Sequence, residues 1–192
     1  MIVLYTWTEV RPVNIGKGEQ FAPAYLAISP NNKIPAIVDP DAPGGPMTLF
    51  ESGAILTYLA DKHGEFLPAF GHERWTVMEW LHWQIGGLGP MLGQFGYFAK
   101  RAPGTSPLAT ERFHHEAQRL FGVLDRRLGE AEYLGGDYSI ADIAAYPWMA
   151  AATGFFGDLL KDDLADKANI ARWMAAVGER PAVKRGMQVP KV

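Results

Sequence analysis

The sequence predicts a small α/β unit followed by an all-α unit, and three observations carry that prediction. Through residue 65, short aliphatic runs alternate with turn-forming Pro and Gly residues, and a single helical pattern closes the stretch. Beyond residue 72 no strand pattern recurs, and apolar residues repeat at helical spacing. Between them, His63 to His72 reads as a linker. The expected division is therefore 1–65 and 72–192, two packed domains sharing an interface.

Ile2 to Thr6 reads as a strand, and Val10 to Asn14 as a second one at a sheet edge, because Pro12 inside it cannot donate to a ladder. Phe21 to Ile28 is a short helix or a pair of turns ending before Ser29-Pro30. Ala36 to Val38 and Met47 to Phe50 flank Pro40-Asp41-Ala42-Pro43-Gly44-Gly45-Pro46, which reads as the loop of a hairpin. Ser52 to Lys62 forms a helix with Ile55, Leu56 and Leu59 on one face. Glu73 to about Lys100 is one long helix, bent or split at Gly86-Gly87-Leu88-Gly89-Pro90. Pro107 to Leu128 is another, with Phe113, Ala117, Leu120, Phe121 and Leu124 aligned. Ser139 to Ala152 is apolar all round, the mark of a central buried helix. Ile170 to Gly178 closes the fold. Trp75, Trp80 and Trp83 are expected in the core or at the domain interface.

Composition narrows the function. Of 192 residues, 48% are hydrophobic and 20% charged, with a net charge of −3 and no basic run, so nucleic acid is not the expected partner. There is no cysteine, which excludes disulfides, a Cys nucleophile and Cys-based metal sites, and fits a reducing, cytoplasmic setting. The five histidines lack metal-ligand spacing, so no metal is expected; adjacent His114 and His115 point about 100° apart on a helix and read as surface or interface residues. The N-terminus has no charged n-region before its apolar residues, and the apolar stretch Ile143 to Ala152 is too short to span a membrane.

Two segments carry chemistry. In Asn32-Lys33-Ile34-Pro35, the proline opens a strand and holds Ile34 extended. The Ile34 backbone can then face outward and pair with an extended peptide, unless Pro35 is simply a strand-start proline. In Phe50-Glu51-Ser52-Gly53, a strand gives way to a helix whose free N–H groups favour an anion, beside a carboxylate suited to an amine. Glu51 and Ser52 could therefore clamp an α-amino acid head group. Alternatively Ser52 only caps the helix, a role worth ~1 kcal/mol.

Strand–proline, hairpin, Glu-Ser and helix in this order resemble the thioredoxin-like domain of the glutathione transferase superfamily. Ser139-Ile140-Ala141-Asp142 matches the family's second-domain helix cap, a Ser-x-x-acid box expected to be structural. Asn14 to Phe21, Ile28 to Pro35 and Gly86 to Gln94 resemble the bacterial glutathione-dependent disulfide-bond oxidoreductases, which are similar to the fungal nitrogen-regulation prion protein. The resemblance implies glutathione contacts from Gln20, Lys33, Ile34, Pro35, Glu51 and Ser52, with Pro35 cis. It also implies a homodimer in which Arg112 reaches a glutathione carboxylate across the interface. Without the resemblance, Arg112 reads as a surface residue paired with Glu116 at i,i+4.

One block of the family pattern is missing. The first strand should lead through a Thr-Pro-Asn-Gly turn and a helix into a parallel second strand, a crossover of about a dozen residues or more. Here Trp7 is followed directly by Thr8. Either a segment is missing from the sequence, or the chain is truly shortened and residues 2–15 run as one strand or lose one. A free thiol of pKa ~8.5 is only about 3% thiolate at pH 7. Lowering that pKa to roughly 6.5 would raise the fraction to about three-quarters. In the family the missing turn performs this task, so no catalytic residue is assigned, Thr6 and Thr8 included. The expected activity is glutathione-dependent thiol–disulfide exchange. The alternatives are glutathione conjugation to an electrophile and a non-catalytic glutathione-binding or protein-interaction module.

Overall fold

A computed structural model describes residues 10–189. The expected strand Ile2 to Thr6, the Trp7–Thr8 junction and Thr6 and Thr8 themselves lie outside the described residues.

The N-terminal unit opens with residues 10–14 in irregular conformation, not the strand expected there. Among the described residues the sheet consists of β1 and β2 alone, and the backbone of Asn14 is taken up by the turn that follows, through Glu19 Oε2 and the Lys17 and Glu19 N–H groups. Two 3₁₀ turns follow, Ile15–Lys17 and Glu19–Phe21, joined by Gly18 in the left-handed conformation at φ 78°. The Asn14 carboxamide caps the first of them, and the Asn14 N–H donates to Glu19 Oε2 at 2.6 Å. Helix α1 (Pro23–Leu26) is a single turn. Strands β1 (Ala36–Asp39) and β2 (Met47–Phe50) form the antiparallel hairpin, in register Ala36↔Phe50 through Asp39↔Met47. Helix α2 (Ser52–His63) packs behind them with Ile55, Leu56 and Ala60 buried, and Gly64 terminates it at φ 70°.

After the connection over residues 64–71, the chain is helical. Helix α3 (His72–Trp83) passes through a π turn, Gln84–Leu88, into α4 (Gly89–Gly96) and a second π turn, Tyr97–Arg101. The expected interruption at Gly86 to Pro90 thus takes the form of a widened helical turn. Helix α5 (Pro107–Glu130) buries Ala117, Leu120, Phe121, Leu124 and Leu128. Phe113, on the same stripe, stacks on Phe98 at 5.8 Å between ring centres.

Helix α6 (Ile140–Thr153) is central, touching α2, α3, α4, α7 and α8, and its alanines let those neighbours approach closely. Helix α8 (Ala168–Gly178) adds Trp173, which is fully buried. Two helices go beyond the sequence expectation: α7 (Gly157–Leu164), and α9 (Pro181–Gly186), which follows the helix expected to close the fold. The expectation for Trp75 is also corrected. It is 66% exposed, whereas Trp80 and Trp83 pack on the core and on each other at 5.2 Å. Trp75 points away because only Val77 and Leu81 of α3 are fully turned inward.

The start of α6 holds the densest buried polar network. Asp142 accepts from the backbone N–H of Leu134 and Ser139, the Ser139 hydroxyl and the Trp173 indole N–H, at 2.7 to 3.2 Å. The Ser139 hydroxyl in turn accepts from the Ala141 N–H. Burial raises the Asp142 pKa, while the backbone and Trp173 donors oppose that rise.

Candidate functional site

The hairpin register builds the site. Ala36 pairs with Phe50 as the last pair of the ladder, so Ile34–Pro35, which lead into β1, and Glu51–Ser52, which follow β2, flank the same end of the hairpin. Two segments fifteen or more residues apart in sequence therefore meet at one end of the hairpin, where α2 begins.

The Ile34 side is held from behind. The Lys33 carbonyl accepts from the Tyr25 hydroxyl at 2.7 Å and the Ser29 hydroxyl at 2.9 Å, and Ser29 is fully buried. The Ile34–Pro35 peptide bond is cis. Ile34 lies at a bend just before β1, not in the extended strand expected for it, and no hydrogen bond joins its N–H or C=O to another described residue, so both groups are available to a peptide. The adjoining Lys33 side chain is exposed.

On the other side, Glu51 sits at φ 70°, ψ 115°, a conformation that costs a non-glycine residue of order 1–3 kcal/mol. Its carboxylate accepts from Asn31 Nδ2 at 3.2 Å, the one side-chain contact to Glu51 among the described residues. Ser52 is the first helical residue of α2, not its cap. Glu51 takes the cap position and makes no side-chain cap bond. The capping role for Ser52 is thereby removed, and its hydroxyl stands with the N–H groups of Ser52, Gly53 and Ala54 at the positive end of a twelve-residue helix. The first intrahelical bond begins one residue later, from the Ile55 N–H to the Glu51 carbonyl. A carboxylate fits this helix start and an ammonium fits Glu51, which together make a receptor for an α-amino acid group.

Gln20, on the second 3₁₀ turn, has a buried Oε1 with no hydrogen-bond partner among the described residues. A buried acceptor left in this state has the chemistry to receive a ligand N–H. Arg112 lies elsewhere. It lines a cavity of about 640 Å³ with Met91, Leu108, Phe113, His115 and Arg119, and none of the other candidate residues borders it. The Arg112–Glu116 ion pair, the alternative reading of that arginine, is not made, and the Arg112 charge only adds to the pull on the Glu116 carboxyl. Arg119 instead grips Glu116 through two bonds of 2.8 and 2.7 Å and holds its carboxyl below the usual range.

Sequence reasoning missed Asn31, Tyr25 and Ser29. Each acts through a contact that only the folded loop creates, and no spacing between residues 31 and 51 announces their bond. Among the described residues, no three His, Asp or Glu side chains gather as metal ligands.

Residues 5–61 match the family model described as glutathione S-transferase, N-terminal domain. The chain is 51% identical over 178 residues to the disulfide-bond oxidoreductase YfcG of Escherichia coli, covering 91% of this chain and 80% of that protein. It is 42% identical to disulfide-bond oxidoreductase YghU of the same organism, covering 91% of this chain and 61% of YghU. Among solved structures, a glutathione transferase family member from Pseudomonas fluorescens with two glutathione bound superposes with a TM-score of 0.90 at 44% identity, covering 95% of this chain and 82% of that one. A glutathione transferase from Pseudomonas putida, with one glutathione disulfide bound per subunit, gives 0.88 at 40% identity, covering 95% and 80%.

Proposed function

This chain belongs to the glutathione S-transferase family, and from that premise we propose that it is a glutathione-dependent thiol–disulfide oxidoreductase. The observation that supports the proposal is that the Ala36↔Phe50 end of the hairpin is flanked by Ile34–Pro35 on one strand and by Glu51–Ser52 at the start of α2 on the other. Glutathione is a peptide with an α-amino acid head, and the two sides of this site match its two recognition needs. The head's carboxylate goes to Ser52 and the start of α2, its ammonium goes to Glu51, and the cysteine backbone pairs with Ile34. Gln20 and Lys33 supply further polar contacts.

With no cysteine in the chain, both redox thiols belong to glutathione. The thiolate of one glutathione attacks a disulfide, forming a mixed disulfide and expelling a thiolate that takes up a proton. A second glutathione thiolate attacks the glutathione sulfur of that mixed disulfide, releasing the second substrate thiol. The products are glutathione disulfide and two thiols, a two-electron transfer. The protein's share is to bind and orient both partners. We assign residues 1–65 to glutathione binding and 72–192 to the helical domain. The exposed arginines and acids around Arg112 favour a homodimer, in which that arginine meets a glutathione carboxylate of the partner subunit. Glutathione as reductant and the lack of cysteine favour the cytoplasm.

Reduction of a small alkyl disulfide by glutathione, with and without the protein, tests the proposal. A rate no faster than free glutathione overturns it. The junction of Trp7 with Thr8 favours a second reading, a glutathione-binding module without turnover, and tight binding with no rate enhancement is its signature. Turnover with a chlorinated aromatic acceptor and none with disulfides points to conjugation instead.

A further inference from the structure

The π turn between α3 and α4 lies against the start of α2. π turns widen a helix by one residue and re-aim the side chains around them. On this one, Ile85 is half-buried and directed at Gly53, the second residue of α2. A Cβ placed on Gly53 would overlap Ile85 Cδ1 and stand 3.6 Å from its Cγ1.

Gly53 is buried in regular helical conformation, so no left-handed backbone calls for glycine here. Glycine weakens a helix relative to alanine. The space that Ile85 occupies is therefore what requires the missing side chain.

The π turn is itself closely packed where it runs into α4. A Cβ on Gly89 would stand 2.6 Å from Gln84 Nε2 and 2.8 Å from the Trp148 indole nitrogen. Leu88 is fully buried and Gln84 nearly so. The backbone of the turn that carries Ile85 is thus closely packed, and Ile85 meets Gly53 with the tip of its side chain.

We propose that Ile85 is a positioning residue for glutathione, pressing through Gly53 on the first turn of α2 and so fixing Ser52 and the strained Glu51 backbone for the γ-glutamyl group. This rests on the assignment of Glu51 and Ser52 to that group made above. It makes the helical domain a working part of the binding site without a polar contact of its own to the ligand. Small displacements of binding groups cost affinity steeply.

The test is calorimetric titration with reduced glutathione, together with melting temperatures, for wild type, Gly53→Ala, Ile85→Ala, the double variant and Ser52→Ala. Gly53→Ala is expected to weaken binding about tenfold, because its methyl displaces the helix start. In the double variant the overlap is removed, and the methyl introduced by Gly53→Ala fills part of the Ile85 volume. It should bind within about threefold of wild type. Its melting temperature should stay below wild type, since Ile85 packing is lost. A merely structural role would leave binding unrestored in the double variant. Wild-type affinity in Gly53→Ala, or a double variant as weak as Gly53→Ala, overturns the proposal. Where Gly53→Ala fails to fold, the affinity of the double variant decides alone. If wild type binds no glutathione, or Ser52→Ala binds as wild type does, the site assignment has failed and the positioning role falls with it.

Discussion

Asn31 Nδ2 donates to Glu51 Oε1 across twenty residues of sequence, at 3.2 Å. The bond holds a carboxylate whose own backbone is in a costly conformation, and no other described side chain bonds that carboxylate. Neutralising Glu51 while keeping its shape should therefore cost ligand affinity more than stability. Glu51→Gln is expected to weaken glutathione binding about tenfold or more, since a hydrogen bond to a charged group is worth about 1.5–3 kcal/mol. Calorimetric titration measures this directly. Affinity equal to wild type would remove Glu51 from the site.

Ser52 offers a separate check, because its hydroxyl does not cap α2. Ser52→Ala should leave unfolding free energy within about 0.5 kcal/mol of wild type, as for an ordinary surface change. Glutathione affinity should nevertheless fall clearly. Denaturant titration and ligand titration on the same preparation separate the two effects. A loss of stability of about 1 kcal/mol with unchanged affinity would restore the capping role.

Local chemistry makes much of this legible in the sequence. The Pro-Gly loop over residues 40–46 can only be a tight connection, and Gly64 stops α2 where glycine adopts positive φ at no steric cost. The stripe from Ala117 to Leu124 announces α5 because its period is helical. Helix α7 is hidden in the sequence because it opens at Gly157 and carries Asp158, Asp162 and Asp163 within eight residues. The side chains of residues 10–14 suit a strand, but Asn14 turns its backbone into the first 3₁₀ turn, a local choice that alternation alone does not reveal. Within the site, Ile34, Pro35, Glu51 and Ser52 stand out by motif, whereas Asn31, Tyr25, Ser29 and Ile85 do not. Their roles come from distances that exist only after the loops and the two units have packed.

The Asp142 network makes the helical domain sensitive at one point. Asp142→Ala would leave the Leu134 and Ser139 N–H groups and the buried Trp173 indole without an acceptor. Each unsatisfied buried donor costs roughly 1–3 kcal/mol, so a loss of about 3–5 kcal/mol is expected. Chemical denaturation of the variant measures it. A loss under about 1 kcal/mol would mean that other acceptors, or water, replace the carboxylate. Ser139→Ala removes the hydroxyl that accepts from the Ala141 N–H and donates to Asp142, leaves the backbone and Trp173 donors in place, and should cost about 1 kcal/mol.

Asp39 supplies the pH-dependent prediction. At the end of β1 it accepts from the Lys62 ammonium and from the Tyr58 hydroxyl at 2.6 Å, pinning α2 to the hairpin that carries the site. Lys62 first, and then Tyr58, lower its carboxyl from the ordinary value to about 2. The same contact raises the Lys62 pKa, so the ammonium stays charged throughout the acid range. A carboxyl depressed in the folded state adds stability that is complete above its unfolded pKa of about 4. That stability fades as the pH falls toward 2. Asp39→Asn should therefore unfold at lower denaturant concentration than wild type at pH 6, and the gap should narrow steadily from pH 5 downward. Denaturation midpoints at half-unit pH steps give the comparison, with salt held constant because the pair is partly exposed. A gap that stays constant to pH 3 would show that the charge of Asp39 does not hold α2 to the hairpin.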